Sequence, residues 1–200
     1  MAMTMTYNPD IHHRRSIRIR DYDYSQAGAY FVTVCAKDRV CLFGDVVHDK
    51  MELNEAGCMV SKWWHEVINK FSAVETDEFV VMPNHFHGII LIVGADLCVC
   101  PPVDDVCPND NNKHIEKGEH TGSPLHRIIQ WIKTMTTNEY IRGINKHGWE
   151  RFNGKLWQRN YYEHIIRDEK ELNRIREYII NNPLQWAEDE NNPVNIKAVT

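Results

Sequence analysis

The sequence lacks any apolar run approaching the roughly 18 residues that a membrane-spanning helix needs, so no membrane partner is expected. Its opening, Met1 to Arg20, is polar and basic and has no apolar stretch of the kind a secretory signal carries, which makes the cytoplasm the expected compartment. A disulfide framework is missing too. Cys35, Cys41, Cys58, Cys98, Cys100 and Cys107 are scattered along the chain, and without an export signal they read as free thiols in a reducing compartment. A zinc module built from Cys98, Cys100, Cys107, His114 and His120 is disfavoured. Its first two cysteines are separated by one residue, where structural zinc sites use about two to four.

Excess positive charge is also absent. Asp and Glu total 28 against 23 Lys and Arg, for a net charge of −5, a poor endowment for a protein that binds nucleic acid by neutralising phosphates. The acids are unevenly placed, however. Asp96, Asp104, Asp105, Asp110, Glu116 and Glu119 fall in one segment, and Glu188, Asp189 and Glu190 in the tail. What remains is close to neutral and contains two basic clusters: Arg14, Arg15, Arg18 and Arg20 near the start, and Lys155, Arg159 and Arg167 around the pair Tyr161–Tyr162.

With 200 residues and 42% hydrophobic content, the chain is expected to form one domain, residues 1–200, with enough apolar material for a core. Residues 94–121 have no apolar periodicity and are rich in Pro, Gly, Asp and Asn, which predicts a long mobile insert; residues 187–200 are expected to be a flexible tail. Ala29–Cys35, rich in β-branched and aromatic residues, predicts a strand. Asn54 caps a predicted helix whose apolar stripe would be Met59, Trp63, Val67 and Phe71. Two strand-like runs, 78–82 and 86–93, flank the turn-prone Pro83-Asn84. A helix is expected from Leu125 to about Asn145, extended chain from Lys155 to Ile166, and a last helix from the Asp168 cap to about Asn182, stopped by Pro183. This order implies an α+β fold, one mainly antiparallel sheet with helices layered on a face.

Two segments can carry chemistry. Residues i and i+2 of a strand share a side, so in Met82-Pro-Asn-His85-Phe86-His87-Gly88 the two imidazoles would point together to solvent or a metal while Phe86 points to the core. Surface or turn histidines are the ordinary alternative. A histidine-triad nucleotide hydrolase would need another histidine two residues on, where the chain has Ile89. In Tyr178-Ile-Ile-Asn181-Asn182-Pro183, Tyr178 and Asn182 are four apart on one helix face, so a tyrosine nucleophile and an amide-oxygen ligand could converge on one phosphate. A helix aromatic followed by a C-terminal cap would look the same.

Taken together and in this order, the basic start with Arg14-Arg15, the strand Tyr30-Phe31-Val32-Thr33, Met82-Pro-Asn-His-Phe-His87, Leu156-Trp-Gln-Arg-Asn-Tyr-Tyr-Glu-His164 and Ile175-Arg-Glu-Tyr-Ile-Ile-Asn-Asn-Pro183 resemble the HUH single-strand endonucleases. Within them the match is to the REP-associated tyrosine transposases. The resemblance implies a ferredoxin-like antiparallel sheet with helices packed on one face. It also implies metal ligation by His85, His87 and Asn182, with Tyr178 as the nucleophile that cuts DNA through a 5′-phosphotyrosine link. The ligand set suits Mg²⁺ or Mn²⁺ as the divalent cofactor. The partner would be single-stranded or hairpin DNA, held by Arg14, Arg15, Arg18, Arg159, Trp157, Tyr161 and Tyr162, and the protein a monomer or homodimer. A domesticated relative that binds DNA hairpins without mobilising them would carry the same motifs. The 94–121 insert is no part of the shared pattern, and Glu163-His164 beside the tyrosine pair could offer the metal another ligand or none.

Overall fold

The computed structural model describes residues 27–93 and 123–195. Arg14, Arg15, Arg18 and the 94–121 insert lie outside the described residues. Six strands and four helices follow in order: β1 (Gly28–Cys35), β2 (Gly44–Val47), β3 (Lys50–Leu53), α1 (Glu55–His65), α2 (Val67–Lys70), β4 (Val74–Met82), β5 (His85–Ile92), α3 (Pro124–His147), β6 (Tyr162–Ile166) and α4 (Glu169–Asn181). A 3-10 turn over Asn182–Glu188 continues α4.

One antiparallel sheet has the order β4-β5-β1-β6, with β2 and β3 forming a separate hairpin. Without that hairpin the chain reads β-α-β-β-α-β with the two central strands contributed by β1 and β5, the ferredoxin-like arrangement. Alternation along the strands divides the side chains between two faces. Tyr30, Val32, Val34, Phe86, Ile90 and Ile92 meet Val60 and Trp64 of α1 and Ile128, Ile129 and Ile132 of α3 in the main core. On the opposite face Phe31, Ile89 and Ile166 meet Ile175 and Ile179 of α4. The helices are therefore on both faces: α1 and α3 on one, as expected, and α4 on the other, beside the histidines.

The helix starts follow sequence signals. Asn54 Oδ1 accepts from Gly57 N at 2.9 Å, and Asp168 caps α4 by accepting from Glu171 N at 2.8 Å. Ser123 precedes a proline at the first position of α3, and Gly148, in the left-handed region, ends it. The stripe of α1 differs from expectation. Trp64 is buried and Trp63 only half-buried, because the buried face of α1, Ala56, Met59, Val60 and Trp64, follows the helical period of about 3.6 residues and a strict spacing of four drifts off it. Trp64 needs Gly88 on β5: a Cβ there would come within 2.3 Å of the indole.

Three further features depart from the sequence reading. The β2–β3 hairpin was not anticipated, Lys155–Asn160 forms no strand of the sheet, and the tail is packed as far as it is described, with Asn191 and Asn192 buried.

Candidate metal centre

His85 and His87 open β5, in register with Cys35 and Thr33 of β1 and with Met82 and Val80 of β4. Both lie on the α4 face, as the i and i+2 rule requires, but neither meets solvent: their exposures are 0% and 2%. Of the two alternatives expected for them, solvent or a metal, the first is corrected by what covers them. Trp186 lies 6.0 Å from the His85 ring, Tyr178 lies 5.4 Å from that of His87, and the segment after α4 crosses the top.

Hydrogen bonds fix the imidazoles. Asn84, fully buried, donates through Nδ2 to the carbonyls of Arg39 and Asn191, each at 2.8 Å, so its amide has one orientation. Its Oδ1 then faces His85 Nδ1 at 2.8 Å and can only accept, which puts the proton of His85 on Nδ1 and leaves Nε2 bare. The Thr33 hydroxyl lies 2.8 Å from His87 Nδ1 and can donate or accept. The two Nε2 atoms are 3.0 Å apart. Burial pushes both rings toward the neutral form, His85 down to about 3 with help from the Arg39 charge and His87 well below its usual value with help from His85. A neutral imidazole whose outer nitrogen is fixed, as at His85, is the form that ligates metals, and the Thr33 hydroxyl allows His87 the same tautomer.

A carboxylate stands beside them, and a second buried oxygen lacks a partner. Asp189 Oδ2 is 3.9 Å from His85 Nε2, and one ligand atom from each of His85, His87 and Asp189 falls within 4.8 Å of the others. Asn182, at 1% exposure, keeps its Oδ1 buried without a hydrogen-bond partner, the kind of orphan a cation satisfies. Two nitrogens bound at right angles about 2.1 Å from one ion would stand about 3.0 Å apart, the spacing of the Nε2 atoms. The residues present therefore fit a divalent ion. Asp189 was missed by sequence reading, which placed it in a flexible tail; an isolated acid in an acidic run carries no local signal.

Tyr178, 40% exposed, stands at the rim, edge-on to Phe31, whose ring stacks on His87. Burial and then the Asp189 carboxylate raise the phenol above its usual range, while a hydrogen bond from the Asn182 amide works against them. One turn of helix thus brings Asn182 against Tyr178, whose ring lies against His87.

The other sequence candidates scatter. Tyr162, half exposed on β6, pairs in register with Thr33 and lies edge-on to Phe31, on the site's face. Tyr161 is half-buried with the Lys133 ammonium 5.5 Å from its ring, and Arg159 is exposed. Trp157 is enclosed, stacked on Phe43 with its N–H donated to Thr136 at 2.8 Å, so it is a packing residue and offers no face to a base. Glu163 points away from the site by strand alternation, and His164 is bonded to Glu171 at 2.8 Å.

No family model matches the chain. An uncharacterized protein of Haemophilus influenzae is 40% identical over 191 residues, covering 94% of this chain and 98% of that protein. A second protein of that organism, with the provisional name REP-associated tyrosine transposase, is 23% identical over 167 residues, covering 82% of this chain and 74% of the other. Among solved structures, a REP-associated tyrosine transposase bound to a REP hairpin superimposes with a TM-score of 0.50 at 20% identity, covering 84% of this chain and 73% of the other, a likeness of fold. Among the described residues no helix is long and apolar enough to cross a membrane.

Proposed function

The chain belongs to one family with the uncharacterized Haemophilus influenzae protein, and we propose that its members are cytoplasmic single-strand DNA nucleases of the REP-associated tyrosine transposase type, acting on hairpin DNA. One observation carries this reading: two imidazole Nε2 atoms stand 3.0 Å apart with the Asp189 carboxylate beside them, and the Tyr178 ring lies 5.4 Å from that of His87. The fold shared with a hairpin-bound transposase and the weaker sequence relative of that name support it.

His85, His87 and Asn182 would hold Mg²⁺ or Mn²⁺, with Asp189 close enough to add a carboxylate. The chemistry such an ion would supply there is polarisation of a phosphate oxygen and an offset to charge in the transition state. Tyr178 supplies the nucleophile. Its oxygen forms the bond to phosphorus, the P–O3′ bond breaks, and the phenolic proton balances the leaving 3′-oxygen, giving a 5′-phosphotyrosine and a free 3′-hydroxyl. The link keeps the bond energy, so reversal onto another 3′-end needs no nucleotide cofactor. Tyr162, exposed next to Phe31, and Arg159 would hold the strand by stacking and charge, together with Tyr161 and the arginines at 14, 15 and 18.

A second reading has its own observation. The His pair is covered by the segment after α4, and the Tyr178 phenol is held protonated, as suits a hairpin-binding protein that does not cut. Tyr178→Phe separates the two. End-labelled hairpin DNA with Mn²⁺ should form a covalent adduct with the wild type and with Tyr161→Phe and Tyr162→Phe, and at least about a thousandfold less with Tyr178→Phe, whose DNA affinity stays within about twofold. An adduct that persists in Tyr178→Phe defeats the assignment, and its absence from the wild type favours the binding protein.

A further inference from the structure

Asp38 and Arg39 both hold left-handed backbone, with φ of 57° and 54°. Such a conformation is disfavoured for residues with a Cβ and calls for a cause. The same pair of positive φ values at His48 and Asp49 has one: these residues form the two-residue link between β2 and β3, where such a turn matches strand twist. Asp38 and Arg39 close no hairpin. They sit in the 3-10 turn that leaves β1, and their conformation is held from a distance, by Asn84 Nδ2 donating to the Arg39 carbonyl at 2.8 Å.

That amide is the one whose other end orients His85, so a single buried side chain ties the Arg39 backbone to the metal centre. The outcome is the position of the guanidinium. It lies against the Glu190 backbone carbonyl at 3.1 Å, next to Asp189, and its charge is felt at His85 and at Cys35. Among the described residues no carboxylate is within ion-pair distance of Arg39; its neighbour Asp38 is taken up by Lys37. Among the described residues, then, the cation at the edge of the site has a neutral carbonyl for its partner, on the His85 side, while Tyr178 stands on the His87 side.

We infer that Arg39 is a phosphate-binding residue of this site, exchanging the Glu190 carbonyl for the DNA phosphate one nucleotide to the 5′ side of the one Tyr178 attacks. The inference rests on the nuclease reading above. In-line displacement expels the 3′-oxygen on the side away from the nucleophile, so the strand that keeps the 3′-hydroxyl leaves past His85 and brings its last phosphate to Arg39. A planar guanidinium suits that task, since it can hold two phosphate oxygens at once.

The test is a binding cycle in a Tyr178→Phe background, where no cutting occurs, using a labelled DNA hairpin with a single-stranded flank and Mn²⁺. Uncharged methylphosphonate links are introduced one phosphate at a time, and the attacked position is mapped beforehand with the wild type. A methylphosphonate at the proposed phosphate should weaken binding about tenfold when Arg39 is present and have no further effect in Arg39→Ala. The slope of log affinity against log salt should also fall by about 0.7 in Arg39→Ala, recover in Arg39→Lys, and stay unchanged in Arg142→Ala, which removes an exposed charge from α3 on the opposite face of the sheet. Thermal melts of each variant exclude unfolding as the cause, and Arg39→Gln repeats the test with a closer shape. An equal methylphosphonate penalty with and without Arg39, or an unchanged salt slope, overturns the inference and leaves the nuclease reading intact. A wild type that forms no adduct, with the penalty at one phosphate still abolished by Arg39→Ala, overturns the nuclease reading and retains the phosphate contact.

Discussion

The hydroxyl of Thr33 and Nδ1 of His87 are 2.8 Å apart across the β1–β5 pair, and this contact turns His87 Nε2 toward His85. Because a hydroxyl can donate or accept, Thr33 suits either tautomer of His87, whereas Asn84 allows His85 only one. Thr33→Val keeps the shape and removes the bond. Mn²⁺ affinity, read by calorimetry, should fall about tenfold or more, as at other outer-shell partners of metal-bound histidines. Equal affinity would mean that Thr33 does not orient the ligand.

Asn182 and Asp189 can be ranked in the same way. If both oxygens contact the ion, Asn182→Ala and Asp189→Asn each weaken Mn²⁺ binding about tenfold or more, whereas a loss confined to one names the single oxygen ligand. Asp189→Asn keeps the size of a side chain that is 6% exposed, so its fold should be intact by circular dichroism.

Gly88→Ala tests the packing beneath the histidines. The new methyl would approach Trp64 to 2.3 Å, in a place where both the strand and the indole are closed in. The expected loss is about 1–3 kcal/mol in urea unfolding, with Trp64→Phe in the same chain restoring part of it. An unchanged unfolding midpoint in Gly88→Ala would refute the contact.

Arg176, two residues before Tyr178, fastens α4 to β4 by a two-pronged contact with Asp77, and that hydrogen bond holds the Asp77 carboxyl below its ordinary range. A carboxyl with a lowered pKa in the folded state contributes stability above its unfolded value, near 3.8, and loses it as pH falls through the folded value. Arg176→Ala should therefore melt at a lower temperature than the wild type by a constant margin above about pH 5, and the margin should close below about pH 4. A margin independent of pH down to 3 would assign the effect of Arg176 to packing.

Much of this arrangement could be read from residue types alone. β1 announces itself by Tyr30 to Val34, the starts of α1 and α4 by Asn54 and Asp168, and the antiparallel α+β class by the order of the elements. The four-residue spacing brought Tyr178 and Asn182 to one side of α4, where they stand. What escaped depends on contacts between distant segments. The β2–β3 hairpin is short and exposed, with a turn made by His48 and Asp49 in place of glycine or asparagine. Asn84 reads locally as a turn residue, and its bonds to Arg39, Asn191 and His85 exist only once three parts of the chain have met. Trp157 has the aromatic face expected of a base-stacking residue, but Phe43 and Thr136 had already enclosed it.

β5 begins at the His pair and ends at Ile92, seven residues on, roughly 23 Å away at strand spacing. The connection to α3 departs from that far end. Side chains at that end, such as the exposed Val93 just past the strand, are thus insulated from the ligands by the whole length of a doubly paired strand. The same remoteness marks Val93 for protein engineering: a label attached at that exposed position would tag the molecule at the end of β5 opposite the ligands.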